Sequence, residues 1–166
     1  PLVLDHPRLV VLHTLSKAFG LAGARVGTAI GSPVLVQYLN NIKAPYSINK
    51  MTSAVGAAAF DDRALETLRK NVRDVLAQRD DVAEALRAKR YVCTVFPSDA
   101  NFLLVRLKDH DKAKPLYTAL AENGVVIRYR GDQKNLAGCV RVTIGNPKDN
   151  AAFLSLLDET APKFGL

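Results

Sequence analysis

The sequence predicts an α/β fold in two parts, with the boundary near residue 62. Short apolar runs rich in β-branched residues indicate strands, and apolar residues that recur at helical spacing indicate amphipathic helices. Beyond residue 90 the predicted order is strand, strand, helix, strand, strand, helix, which is typical of a small α+β layer. We therefore expect one domain over residues 1–61 and a second, small α+β domain over residues 62–166.

The first part is predicted to contain two short strands and two helices. The runs "RLVVLHTL" (8–15) and "RVGTAIGS" (25–32) are short, apolar and β-branched, as buried strands are. Ser32 followed by Pro33 indicates a helix start, with serine as N-cap and proline in the first position. The segment 48–60 is rich in alanine and predicts a tightly packed second helix.

A long amphipathic helix opens the second part, from Asp62 to about Lys89, because apolar residues recur there at helical spacing between charged ones. The strands predicted after it are 91–96, 101–107, 125–130 and 139–145, with a helix over 112–124 and a last helix capped by Asn146.

Composition places the chain among ordinary globular proteins. Apolar residues make up 48% and charged residues 23% of the chain. No apolar run approaches the ~20 residues that span a bilayer, and no secretion signal is visible, so we expect a cytoplasmic protein. Cys93 and Cys139 have neither disulfide-framework nor metal-site spacing, so we expect two small core residues and no metal site.

The net charge of +7 is compatible with nucleic acid, an acidic membrane or anionic small molecules as partners. The basic residues form no dense tract with interleaved aromatic residues, which favours charge spread over a solvated surface. We therefore expect neither nucleic acid nor a membrane as a partner.

The stretch "HTLSKAFGLAGARVG" (13–27) places an amine beside groups that bind anions. Lys17 directly follows a predicted strand, whose end can open into a cleft. The hydroxyls of Thr14 and Ser16 can bond an anion, and Arg25 can give bidentate hydrogen bonds to a phosphate. A nucleophilic lysine needs surroundings that disfavour its charge. Spacing alone is also compatible with an ordinary glycine-rich turn that carries two surface charges.

Two other phosphate motifs do not fit this stretch. A P-loop has its lysine after the glycines, whereas Lys17 precedes them. Gly20, Gly23 and Gly27 do not give the spacing of the dinucleotide fingerprint either.

The run "TLSKAFGLAGARVG" closely resembles the signature of the fold-type I pyridoxal-phosphate (PLP) aminotransferases of class I and II, and most of all their histidinol-phosphate branch. The resemblance implies the end of a large, mostly parallel-sheet domain that binds PLP, over residues 1–61, followed by the small α+β C-terminal domain. It implies that Lys17 is catalytic and holds PLP covalently. It also implies that Thr14, Ser16 and Arg25 bind the cofactor phosphate.

The resemblance continues in "FPSDANFLLVR" and "GVVIRYRGDQKNLAGCVRVTIGNPKDN", which match the family's small-domain strands. Arg128 and Arg141 lie on neighbouring predicted strands, where they can face one cleft or simply face solvent. The resemblance implies that Arg141 holds a substrate α-carboxylate and that Arg128 helps to bind a substrate phosphate. Arg130 is expected on the strand face of Arg128. We expect Asn101 to be structural, and Tyr46 either to pack or to lie at the site or a dimer interface.

For a complete enzyme, the resemblance implies PLP-dependent transamination between L-histidinol phosphate and 2-oxoglutarate, a step of histidine biosynthesis, by a homodimer. Alternatives within the family are an aromatic aminotransferase and a phosphothreonine decarboxylase. An alternative of another class is a non-catalytic PLP-binding sensor domain of a transcription regulator.

The family also uses an aspartate that pairs with the pyridine nitrogen and makes the ring an electron sink. In the family it precedes the lysine, in a stretch resembling D-E-A-Y that this sequence lacks, and Asp5 lies too near Lys17 to match it. We therefore expect the chain to be the C-terminal portion of such an enzyme, with the N-terminal portion in the same or another chain.

Overall fold

A computed structural model describes residues 2–166 and divides the chain into two compact units. The first unit ends at Val72 and the second comprises Arg73–Leu166, so the division falls inside the long helix α4 (Asp62–Arg87). The predicted domain ranges 1–61 and 62–166 put the boundary at the start of the same helix, and they stay a prediction.

The first unit is built on a two-stranded antiparallel sheet. Strand β1 (Val10–Thr14) pairs with β2 (Gly27–Gly31) along its whole length, with Thr14 opposite Gly27. Three helices accompany the strands, namely α1 (Leu2–Asp5), α2 (Pro33–Ile42) and α3 (Lys50–Ala58). The predicted strands and the helix start at Ser32 are confirmed, and the Ser32 hydroxyl accepts a hydrogen bond from the amide of Leu35.

The strands of the first unit are exposed, although their sequences predict burial. Leu12 is 79% exposed and Ile30 is 52% exposed. The reason is that a two-stranded sheet cannot cover both of its own faces. Leu15 and Ala59 are the buried apolar residues of this unit among those that the structure describes.

The second unit is a four-stranded antiparallel sheet with helices packed against it. The strands are β3 (Val92–Val95), β4 (Phe102–Leu107), β5 (Arg128–Tyr129) and β6 (Cys139–Thr143), in the order β3-β4-β6-β5. Helices α5 (Ala113–Glu122) and α6 (Pro147–Thr160) follow β4 and β6, respectively. Leu103, Val105 and Leu107 alternate along β4 into one hydrophobic core shared with the C-terminal end of α4, α5 and α6.

Two predictions for the second unit need correction. The strand predicted over 125–130 is limited to Arg128–Tyr129, because the amide of Val125 still bonds the carbonyl of Leu120 at the end of α5. Cys139 is buried as expected, but Cys93 is exposed. Strand alternation places Cys93 on the face opposite the buried Val92, and that face is exposed at this position.

Both sheets are antiparallel, so the parallel strands expected of the large domain are not among residues 2–166. No helix in this range is both long and apolar enough to cross a membrane. No group of three or more potential metal ligands occurs within it either.

Folding raises the pKa of the Tyr91 hydroxyl. Burial and, to a lesser extent, the negative charge of Asp158 raise the pKa of Tyr91 to about 12. Its hydroxyl is buried without a hydrogen-bond partner among the described residues. The unfolded chain therefore loses this proton at a lower pH than the folded chain does.

We expect Tyr91→Phe to reduce the loss of stability at high pH. Wild-type unfolding free energy should fall between about pH 10, the value for an unperturbed tyrosine, and about pH 12, where folded Tyr91 ionises. Denaturant titrations of the complete protein at about pH 9 and about pH 11 measure this loss. Tyr38→Phe, at an exposed tyrosine, is the control. Equal pH dependence in wild type and Tyr91→Phe would contradict the assignment.

We expect Gly138→Ala to destabilise the protein more than Gly124→Ala. Both glycines have positive φ (+72° and +90°), but a Cβ at Gly138 would overlap the His110 imidazole and lie 3.0 Å from its Cα, whereas a Cβ at Gly124 meets nothing. The backbone strain alone costs about 1–2 kcal/mol, and the clash raises the loss at Gly138 to about 3 kcal/mol. Denaturant titration of both variants measures the difference, and equal losses would refute the packing contribution.

Candidate functional site

The end of β1 and the loop that follows it carry the four residues predicted to bind the cofactor. The loop is closed at its base by Leu15, whose amide donates to Val26 O (3.3 Å) and whose carbonyl accepts from the amide of Leu21 (3.0 Å). The Leu15 side chain is 2% exposed and anchors the loop. We call residues 14–25 the lysine loop.

The hydroxyl of Thr14 shapes the start of the lysine loop. It accepts a hydrogen bond from the amide of Ser16 at 3.1 Å and donates to the carbonyl of Val26 at 3.4 Å. Threonine hydroxyls often fix turns in this way by bonding the backbone two residues on. The turn then continues through Lys17, whose carbonyl accepts from the amide of Gly20 at 2.8 Å. Gly20 has a φ of +68°, a conformation that favours glycine.

Arg25 ends the lysine loop in an unusual conformation. Its φ of +54° lies in the left-handed region, which non-glycine residues rarely adopt. Its Nη1 donates to the carbonyl of Ala22 at 3.1 Å, which holds the side chain back along the loop. A guanidinium has five N–H donors, so the others stay available to an anion.

Lys17 is exposed, and within the described residues its ammonium has neither a hydrogen bond nor an ion pair. The loop therefore combines an unpaired amine with the hydroxyl of Ser16 and the free donors of Arg25. This donor set fits a phosphorylated aldehyde, because an amine bonds the aldehyde carbon and the hydroxyl and guanidinium bind phosphate.

An aromatic cluster that the sequence did not reveal joins the lysine loop to Phe60, two residues beyond the end of α3. The His13 ring meets Phe19 edge-on, with centroids 5.7 Å apart, and Phe19 lies 5.3 Å from Phe60. Strand alternation places His13 on the face opposite Thr14. Phe60 comes from a distant segment, so no local sequence signal could identify this contact.

Arg128 and Arg141 lie directly opposite each other on β5 and β6, so their side chains leave the same face of the sheet. The Arg141 guanidinium lies 5.1 Å from the centre of the Phe102 ring, and its Nε is buried without a hydrogen-bond partner among residues 2–166. Arg128 is exposed. The structure thus brings the two arginines together, and their role in binding substrate stays a prediction.

The three remaining residues singled out from the sequence lie in different parts of the structure. Arg130 lies just beyond β5, and its amide donates to Cys139 O at 2.9 Å. Asn101 bonds the strand beside it through its carbonyl, which accepts from the amide of Ile144 at 2.9 Å. Tyr46 is 97% exposed, so it does not pack within the described part of the chain.

The family model and the similar proteins found by comparison agree on one protein family. The model of the aminotransferase class I and II family matches residues 1–157. Histidinol-phosphate aminotransferase of Parabacteroides distasonis is 40% identical over 151 residues, which are 91% of this chain and 42% of that protein. The Saccharomyces cerevisiae histidinol-phosphate aminotransferase is 38% identical over 98% of this chain and 44% of its own length. The chain therefore spans less than half the length of these relatives.

A solved structure shares the fold. Histidinol-phosphate aminotransferase from Sinorhizobium meliloti, crystallised in complex with pyridoxal-5'-phosphate, superposes with a TM-score of 0.83 at 25% identity. The match covers 96% of this chain and 43% of that one. This agreement confirms the predicted fold class, which is fold-type I α/β.

We expect Thr14→Val to loosen the lysine loop and Thr14→Ser to preserve it. Valine has a similar shape but leaves the Ser16 amide without its acceptor, which should lower the free energy of unfolding by about 1 kcal/mol. Denaturant titration of the complete protein, with amide exchange at Ser16, measures the effect. Identical behaviour of the valine and serine variants would show that the hydroxyl does not shape the loop.

Proposed function

Since this chain belongs to the aminotransferase class I and II family, we propose that the complete protein uses PLP to transfer the amino group of L-histidinol phosphate to 2-oxoglutarate. The observation that carries the proposal is the lysine loop, in which the amine of Lys17 has no partner among the described residues and Ser16 and Arg25 carry donors that can bind a phosphate. The similarity to histidinol-phosphate aminotransferases supports the choice of substrate.

Each of the four candidate residues of the lysine loop would have its own role in binding PLP. Nζ of Lys17 makes the covalent attachment. The Ser16 hydroxyl and the free N–H groups of Arg25 bind the phosphate. The Thr14 hydroxyl is already bonded to the loop's own backbone, so its first contribution is to hold the other donors in place. When bound, PLP supplies an electron sink for the negative charge that forms on the substrate carbon.

Lys17 also carries the proton transfer. Nζ of Lys17 would act as the general base that removes the proton from the substrate carbon bearing the amino group. As a general acid, the same Nζ would deliver that proton to the cofactor within the same half-reaction, and the second half of the cycle would reverse the transfer. Within residues 2–166 no carboxylate pairs with Lys17, and the surroundings that disfavour its charge would come from the rest of the complete protein.

Arg128 and Arg141 would let one face of the sheet bind two different anions. Glutamate presents an α-carboxylate, which Arg141 binds through paired hydrogen bonds. Histidinol phosphate has no carboxylate, so its phosphate is held by Arg141 together with Arg128, which lies opposite on β5. A guanidinium suits both anions because its planar donors match carboxylate and phosphate oxygens.

We further propose that the complete protein is a cytoplasmic homodimer. The first unit exposes large apolar side chains on α2 and α3, including Val34 (63%), Ile42 (82%) and Met51 (81%). Exposed apolar groups of this kind favour cover by other polypeptide. The remainder of the large domain and a second subunit would provide it, and that remainder would also supply the aspartate for the pyridine nitrogen.

We expect the complete protein with PLP to convert L-histidinol phosphate and 2-oxoglutarate into the corresponding ketone and glutamate. Arg128→Ala should raise the KM for histidinol phosphate by about tenfold and affect that for glutamate less, because the phosphate loses a charged hydrogen bond. Half-reactions followed through the absorbance of the bound cofactor separate the two substrates, and Arg87→Ala, at an exposed arginine of the same unit, is the control.

Other outcomes of this assay would replace the proposal. Turnover of aromatic amino acids, or decarboxylation of phosphothreonine, without histidinol-phosphate turnover would select another family activity. PLP binding with no turnover of any amino donor would favour a sensor domain. Equal losses for both substrates in Arg128→Ala would remove its special role toward phosphate.

A further inference from the structure

A third arginine, Arg106, shares the sheet face of Arg128 and Arg141. It lies on β4 opposite Cys139 of β6, two pairs along from Leu104 opposite Arg141, and residues in such pairs project to one face. Arg106 is half-buried, with its guanidinium 5.2 Å from the centre of the Phe96 ring. Neither its sequence position nor the proposed chemistry gives this residue a role.

The guanidinium of Arg106 fastens the loop between β5 and β6. Its Nη2 donates to the backbone carbonyl of Asn135 at 2.8 Å, across 29 residues of sequence. Asn135 has a φ of +65°, so the loop adopts an uncommon backbone conformation at the point where Arg106 holds it. Because the acceptor is a backbone carbonyl, Arg106 constrains the path of the loop and not a particular side chain.

This loop determines where Arg128 lies. Strand β5 has only two residues, which pair as Arg128 with Arg141 and Tyr129 with Val140. So short a strand has few ladder bonds of its own, and its position depends on the segment that returns from it to β6. A bond that fixes the loop therefore also fixes the arginine at its entrance.

The hydrogen bond that Arg106 makes within the described chain is to the backbone of the loop, through Nη2 and the carbonyl of Asn135. We therefore assign its role to the loop that it holds, and not to direct contact with an anion.

We propose that Arg106 is a positioning residue, which fastens the β5–β6 loop at Asn135 and so holds Arg128 opposite Arg141 at the spacing needed to grip one anion. What the arginine pair grips rests on the proposed function. The fastening itself does not, and it can be measured without turnover.

The first test is hydrogen exchange of the complete protein. Arg106→Met keeps the volume over Phe96 and removes the bond to Asn135, so amides over residues 128–136 should exchange about tenfold faster than in wild type. Arg79→Met is the matched control, since Arg79 is a half-buried arginine of the same unit that also leaves a guanidinium nitrogen unpaired. Unchanged exchange over this segment in Arg106→Met would overturn the proposal whatever reaction the protein catalyses.

The second test is coupling to Arg128. As a single substitution, Arg106→Met should raise the KM for histidinol phosphate by about tenfold, while kcat changes by about twofold or less. The reason is that a misplaced Arg128 weakens the binding of substrate and of transition state alike. In an Arg128→Ala background the same substitution should add little. Independent, multiplicative losses would show that Arg106 does not act through Arg128 and would overturn the proposal. If the wild-type protein does not turn over histidinol phosphate, only the proposed function is contradicted. The hydrogen-exchange test still decides the role of Arg106.

Discussion

The backbone hydrogen bonds of Leu15 are the constraint on which the lysine loop depends. Its amide is bonded to Val26 and its carbonyl to Leu21, so one buried residue joins both sides of the loop. Every group with a proposed role toward the cofactor lies between these bonds or beside them. A loop tied in this way can hold an amine exposed and still fix its position, which a flexible glycine-rich turn does not do.

The second unit places two positive charges, those of Arg128 and Arg141, directly opposite each other. Cations directly opposite each other on neighbouring strands repel. Among residues 2–166 no carboxylate pairs with Arg128 or Arg141. The Phe102 ring offsets part of this cost at Arg141, since its π face attracts a guanidinium. An anion that bridges the pair would remove the rest, so the arrangement favours binding of a carboxylate or phosphate.

Local signals in the sequence predicted the elements whose cause is local. Serine or asparagine followed by proline gave the correct starts of α2 and α6, and apolar runs gave the strands of both units. The exposure of β1 and β2 was not predictable, because burial depends on what covers a strand and not on the strand alone. The burial of both Val92 and Val95, three residues apart on β3, depends on a register shift that only the pairing with β4 creates.

The candidate functional residues also include some that the sequence could predict and some contacts that it could not. The motif around Lys17 and the arginines on two strands were recognisable from residue types and order, and the resemblance to the family gave them roles. The left-handed backbone of Arg25, the contact of Phe19 with Phe60 and the bond from Arg106 to Asn135 join segments that no short pattern connects. Such contacts fix the orientation of functional groups, and tertiary packing determines them.

The covalent role of Lys17 underlies the proposed activity, and peptide mapping after borohydride reduction tests that role directly. Reduction makes the link between amine and PLP permanent, so the complete protein loaded with PLP should give one modified peptide, the one that contains Lys17. The Lys17→Ala variant should give none. A label on any other lysine, or a label that persists in Lys17→Ala, would contradict the central claim.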